Sequence, residues 1–337
     1  MHLESWRAAG NCQIVGICDT DLSRARLLAR DSHTNCQVFD DYARMVDTVR
    51  PDVLDVCTPP FSHYDILRYA ISSKLASMVE KPLCTTAAQA DELLDISESV
   101  NVPIFPVHNY SVVPSLIRAK ALISKGEIGE VVSISVSHLV PMIDRYLSAG
   151  HWAVQYPLGV IEDILPHIIM YVLDLSPQRV QSVEARATAS PHAQVKYDGI
   201  YGTMRLGGIT GIFSLFMNCP AGKTYIIVSG SEGSILIDAE SQVVSVANKP
   251  ISSDSILNRG WRSWSSLFSS FGQTSSLTMG VISGRVKPES FGHRLLAKRV
   301  LENLGKGRAY PISLVKARDV VWALNQVEKQ VLDKNGQ

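Results

Sequence analysis

Between residues 12 and 107 the chain alternates short apolar runs, each stopped by a polar residue or a proline, with longer helical stretches, and that rhythm restricts the fold more than any other feature. Strands separated by helices run parallel, because the crossover helix returns the chain to the same end of the sheet. The runs are residues 11–18 (NCQIVGIC), 37–39, 52–57 (DVLDVC), 75–79 and 102–107, with helices expected at 41–49 and 85–99 among those between them. Run 75–79 is apolar apart from Ser77, as in a strand covered on both faces. In such a sheet ligands sit at the carboxyl ends of the strands. The residues after each run are therefore the first candidates for a site.

Several of those ends carry chemistry. Asp19 closes the first run, where an acid accepts hydrogen bonds from ribose hydroxyls and repels a 2′-phosphate, or else caps the helix that follows. Thr58-Pro59-Pro60 ends the run 52–57, since proline cannot continue the ladder. His63 stands at the next helix start, either lining a dinucleotide cleft with Thr58 and Pro59 or serving as a polar helix-start residue. The fourth run leads into Glu80-Lys81-Pro82, and Lys81 would emerge over the cleft as a proton acceptor or as a charge that polarises a substrate hydroxyl. The last run ends at His108-Asn109-Tyr110. No strand leading into G-x-G-x-x-G precedes Asp19, and Gly10 and Gly16 have the wrong spacing for that pyrophosphate loop. The expected fold is thus a Rossmann-type parallel sheet whose first strand and glycine-rich loop are missing from the sequence as given, leaving a slot or closing across it.

The pattern changes after about residue 120. Residues 131–139 alternate, and runs at 179–188, 201–206, 209–217, 224–229, 234–238 and 243–247 alternate or are rich in β-branched residues, with Gly207-Gly208 and Gly230-Ser231-Glu232-Gly233 as turns. They predict a large, mostly antiparallel sheet in an α+β domain. The expected division is 1–120 and 121–337, with the last helix packing back on the first domain. Helices are expected at 291–304 and 314–332, and the aromatics of the serine-rich stretch 252–290 as core anchors of a long loop. Asp163 and His167 are four apart, so on a helix they share one face. Oxidising a secondary alcohol needs a base of near-neutral pKa for the hydroxyl proton, and imidazole fits.

Composition excludes other classes. The 32 basic and 32 acidic residues balance, which argues against nucleic acid or an anionic membrane as partner. The six cysteines lack C-x-x-C spacing, so buried free thiols in a cytoplasmic protein are expected, with no metal site. No apolar run approaches the ~18–20 residues that span a bilayer.

Together, Thr58-Pro59-Pro60-x-x-His63, Glu80-Lys81-Pro82, Asn109-Tyr110 with Pro114, Lys125-Gly126-Glu127-Ile128-Gly129-Glu130 and Asp163-x-x-x-His167 resemble the Gfo/Idh/MocA family of NAD(P)-dependent oxidoreductases. The resemblance runs from the first residue to about residue 331. It implies NAD as cofactor, with NADP as the alternative, and a sugar, inositol or nucleotide sugar as substrate. It implies that Lys81 contacts substrate and nicotinamide, that its bond to Pro82 is often cis, that His167 accepts the proton and that Asp163 orients it. Asp19, Thr58, Pro59, His63, Glu80, Lys81 and Asn109 are the expected cofactor contacts, and Tyr110, His151 and Trp152 the substrate contacts. Lys81, Asp163 and His167 are expected to converge on one cleft, in a homo-oligomer, dimer or tetramer, joined through the large sheet. Ser111 departs from the arginine common in the family, and Leu158-Gly159 from its paired glycines. The alternative is a non-catalytic relative with impaired cofactor binding that acts as a binding or assembly module.

Overall fold

The computed structural model of the protein describes residues 1–141, 146, 151–191, 195–248 and 291–334. The chain forms two compact units, one of residues 1–109 and 289–318, the other of residues 110–288 and 319–337. The division thus falls after Asn109, earlier than residue 120. The segment that returns to the first unit is 289–318, while most of the last helix belongs to the second. The expected aromatic anchors of 252–290 lie outside the described residues.

The first unit alternates as its sequence predicts: α1 (His2–Ala9), β1 (Gly16–Cys18), α2 (Leu22–Asp31), β2 (Gln37–Phe39), α3 (Tyr42–Val49), β3 (Val53–Val56), α4 (His63–Ser72), β4 (Ala76–Val79), α5 (Ala87–Val100) and β5 (Ile104–Pro106). Every pairing is parallel, but the strands form two sheets. β1 pairs with β2, and β3, β4 and β5 form a separate three-stranded sheet in that order. All four residues of β4 are buried, which accounts for the apolar run. Helix α5 begins with a capping box: the Thr86 hydroxyl accepts from the Gln89 amide, and the Gln89 side chain accepts from the Thr86 amide. The unit is completed by α8 (Phe291–Lys306), which packs on α1. Gly292 comes so close to the Asn109 carbonyl that no Cβ would fit.

The second unit holds α6 (Pro114–Ser124), β6 (Val131–Pro141), α7 (Ile161–Leu175), β7 (Ser182–Ala189), β8 (Tyr197–Leu206), β9 (Ile209–Phe216), β10 (Asn218–Gly230), β11 (Gly233–Asp238) and β12 (Val243–Asn248). The final helix α9 (Leu314–Lys334) has its residues from Asp319 onward in this unit. The sheet has seven strands in the order β12-β11-β10-β6-β9-β8-β7, antiparallel except where β6 meets β9. Helix α7 packs against β9, β6 and β8, and its Ile161, Ile164, Leu165, Ile168, Ile169 and Val172 are all buried. Gly211 of β9 leaves room for the Val172 side chain. Burying each such aliphatic side chain contributes about 1.5–3 kcal/mol, so α7 is anchored along its length. Its lone proline, Pro166, donates no amide to the Glu162 carbonyl, and the helix continues through it.

All six cysteines are free thiols, but only Cys84 is buried. The apolar runs flanking the others end at loops, which leaves Cys12 and Cys57 exposed. No described helix is long and apolar enough to cross a membrane.

Candidate active site

In the first unit the expected cofactor contacts stand at the carboxyl ends of parallel strands: Asp19 after β1, Thr58 and Pro59 after β3, Glu80 and Lys81 after β4, Asn109 after β5. Asp19 is not the helix cap. Asp21 caps α2 by accepting from the Ser23 amide at 3.0 Å, while Asp19 accepts from the Asp21 amide at 2.8 Å and stays at the strand end. The Lys81–Pro82 peptide is cis.

His63 requires a correction. It is fully buried, with Nδ1 2.9 Å from the Pro82 carbonyl and Nε2 2.7 Å from the Thr58 carbonyl. Burial pushes its pKa down, against the pull of those carbonyls. A side chain so enclosed braces the loops after β3 and β4 and does not reach a ligand. Its spacing after Thr58 signalled this loop, but not which way the ring faces.

Glu80 is likewise occupied. Its carboxylate takes Nε2 of His2 at 2.8 Å, Nε2 of His293 at 3.2 Å and the Lys81 amide at 3.1 Å. Burial opposes its charge, but the two imidazole hydrogen bonds and the neighbouring Lys81 charge hold it well below the usual carboxylate range. His2 also faces both oxygens of Asp55 at 3.0 Å, and Trp6 donates to Asp55 at 2.7 Å. Burial lowers the affinity of His2 for its proton, and Asp55 more than offsets this, so His2 titrates well above an ordinary histidine.

In the second unit, Asp163 and His167 lie on the first two turns of α7, on the shared face their spacing predicts. Both are half-buried. The Tyr146 hydroxyl donates to Asp163 Oδ2 at 2.5 Å, and the Tyr110 ring lies edge-on to His167 with centroids 4.6 Å apart. Tyr110 also stacks on Tyr171 at 6.1 Å. His151 meets the rings of Tyr146 and Trp152, each at 4.8 Å, and Trp152 meets Tyr156 at 5.3 Å. Thus Tyr110, His151, Trp152, Asp163 and His167 come together in one aromatic-walled constellation. Tyr146 was missed by sequence reasoning because nothing in its neighbourhood repeats a motif. Glu162, beside Asp163, is pushed up to about 7 by burial, against the hydrogen bond it accepts from the Leu158 amide.

The constellation suits proton transfer. A carboxylate held by a tyrosine hydroxyl fixes one end of the α7 face, and an imidazole edge-on to the Tyr110 ring stands one turn along it as a group able to take a proton.

Residues 1–108 match the oxidoreductase family with an NAD-binding Rossmann fold, Gfo/Idh/MocA, and residues 116–236 match the C-terminal domain of the same family. The chain belongs to the Gfo/Idh/MocA oxidoreductases, whose cofactor is NAD. It is 28% identical over 131 residues to the D-glucoside 3-dehydrogenase of Escherichia coli, a stretch covering 39% of this chain and 37% of that protein. The chain thus spans little more than a third of the length of that curated relative. To the D-apiose dehydrogenase of Rhizobium rhizogenes it is 23% identical over 299 residues, or 82% of this chain and 86% of the other. Among solved structures, the WlbA dehydrogenase from Bordetella pertussis in complex with NADH and UDP-GlcNAcA superposes with a TM-score of 0.79 at 18% identity, covering 99% of this chain and 92% of that one. A levoglucosan dehydrogenase in complex with NADH gives a TM-score of 0.79 at 17% identity, covering 99% and 94%. At such identities these likenesses show the fold.

The donor set at the strand ends fits the ribose and nicotinamide parts of NAD. Asp19 brings a carboxylate acceptor to the carboxyl end of β1, and Thr58 and Lys81 bring donors to the carboxyl edge of the β3-β4-β5 sheet, where ligands of such sheets sit.

Proposed function

We propose that the protein is an NAD-dependent dehydrogenase of a sugar or nucleotide-sugar hydroxyl. The observation that carries the reading is the α7 face, where Asp163, held by Tyr146, and His167, against Tyr110, stand one turn apart. When bound, NAD supplies the acceptor of the hydride that leaves the alcohol carbon. His167 takes the hydroxyl proton, and Asp163 orients the imidazole or the substrate. Lys81 polarises the hydroxyl as its oxygen gains negative charge. Tyr110, His151 and Trp152 give the flat apolar surfaces and polar edges that a sugar ring needs. Asp19 at the ribose position selects NAD over NADP by repelling a 2′-phosphate. Support comes from the dehydrogenases of sugars among the relatives. The test is NADH formation on a panel of free sugars, glycosides, inositols and nucleotide sugars. Turnover of at least one member is expected, and no turnover together with impaired NAD binding would leave the binding-module reading.

The protein is also proposed to form a homo-oligomer through the large sheet. The register places Leu236, Ile227, Ser135, Ile212 and Thr203 in one cross-strand row and Tyr225, Ser137, Ser214 and Tyr201 in the next. Leu236, Ile227, Ile212, Tyr225 and Tyr201 are each at least 40% exposed, an apolar patch interrupted only by the small Ser135, Ser137 and Ser214 and unlike a solvated sheet face. Light scattering is expected to show a dimer or tetramer at micromolar concentration, and Ile212→Lys with Ile227→Lys to shift it to monomer. A monomeric wild-type chain would end this proposal.

A further inference from the structure

We propose that His2, Glu80 and His293 form a binding site for a divalent transition metal of the zinc class, with Asp55 holding His2 from behind. The three donor atoms lie within 4.8 Å of one another in the first unit. His2 Nε2 and His293 Nε2 approach the same oxygen of Glu80, at 2.8 and 3.2 Å. In a tetrahedral zinc site with bonds of about 2.0–2.1 Å, neighbouring donors are about 3.3 Å apart. Spreading these side chains by about half an ångström or less along each of those two edges therefore admits an ion between them.

The outer contacts support the same reading. His2 Nδ1 faces both Asp55 oxygens at 3.0 Å, so Asp55 fixes the ring and leaves Nε2 for the ion. This carboxylate–histidine–metal order is how proteins orient a ligating imidazole. Asp55 is itself held by Trp6 at 2.7 Å, which makes the outer shell a second, independent layer. The elements are firm: Glu80 follows the buried strand β4, while His2 and His293 stand on the first turns of the packed helices α1 and α8. Two nitrogens and one oxygen leave a fourth position open, and imidazole suits zinc, copper, iron and nickel.

His2 also groups with Asp55 and Cys57, and the experiment separates the two sets. The full-length chain, stripped with a chelator, is titrated with Zn²⁺ by calorimetry and with Co²⁺ by visible absorption. One ion per chain is expected, with the bands of a four-coordinate nitrogen and oxygen cobalt site and no thiolate-to-cobalt charge-transfer band. His2→Ala and His293→Ala should each weaken binding at least tenfold, and Asp55→Asn about tenfold. The cobalt spectrum needs no variant, so the proposal stays testable should a substitution unfold the chain. No stoichiometric ion, a thiolate band, or undiminished binding by a folded His293→Ala would each overturn it. In the first case the three side chains are an ion-pair network only.

Discussion

Replacing His167 with asparagine is expected to lower kcat by about 10²–10⁴-fold, the usual contribution of a positioned general base. Asparagine keeps a polar group on the α7 face but takes no proton, so the loss should fall on kcat more than on the dissociation constant of NAD. The Tyr110 ring against His167 and the Tyr146 hydroxyl on Asp163 fix the two groups before substrate arrives. Tyr146→Phe should therefore cost less than His167→Asn and leave the acidic limb of the pH profile in place, whereas His167→Asn should remove that limb. Steady-state rates on the substrate found by the panel decide it. A loss of less than tenfold for His167→Asn would move the proton acceptor to Lys81.

Acid is expected to unfold the first unit before the second. His108 is buried at the end of β5, and neither ring nitrogen has a hydrogen-bond partner among the described residues. Burial pushes its pKa down to about 3, and His63 is lowered by the same cause. The unfolded chain takes these protons near pH 6.5 and the folded chain only far lower, so acidification in that window favours unfolding. Each such histidine costs at most about 1.4 kcal/mol per pH unit. From pH 6.5 to 4.5, His108 alone removes about 2–3 kcal/mol, a large share of a typical stability of ~5–15 kcal/mol. Below the ordinary glutamate range Glu80, held low, adds a loss of the same sign, while His2, held high, gives a smaller gain as pH falls through its unfolded value of 6.5 and offsets only part of it.

The second unit behaves differently. Burial takes His138 down to about 4, but also raises Glu162 to about 7 and moves Glu328 upward. A raised carboxylate binds its proton more tightly when folded, so its stabilisation is full below its unfolded pKa and is lost as pH rises through about 7. On acidification these opposite effects cancel in large part. Amide exchange corrected for intrinsic rates should show residues 76–109 losing protection before residues 161–228 between pH 7 and 4.5. His108→Leu should flatten the acid limb. Simultaneous loss in both units, or an unchanged limb in the variant, would contradict this account.

The legible parts of the molecule were those written over short distances. The parallel strands followed from apolar runs within about ten residues, and the α7 face from the four-residue spacing of Asp163 and His167. The split into two parallel sheets is the slot, one of the two outcomes expected, and which of the two occurs is set by pairing that apolar runs alone do not encode. His63 had the right spacing and the wrong direction, because orientation depends on the Pro82 carbonyl 19 residues away. The His2, Glu80 and His293 contacts bridge separations of 78 and 213 residues, beyond any local pattern. The parallel meeting of β6 and β9 was hidden for the same reason: alternation fixes which face a residue takes but not its neighbour strand.

The discontinuity of the first unit also sets an order for its synthesis. Residues 110–288 separate its two pieces, and α8 is needed to cover α1 and to bring His293 to Glu80. At roughly 5–20 residues per second, a ribosome takes about 10–40 s to make the intervening stretch. For that time the nascent parallel strands carry an uncovered α1 and a Glu80 lacking one of its two imidazoles. The second unit's seven-stranded sheet is complete at Asn248, before α8 emerges. The amino-terminal unit, first to be translated, thus closes only after the second unit's sheet is made, and a chain halted before residue 306 holds its strands without the helix that seals them.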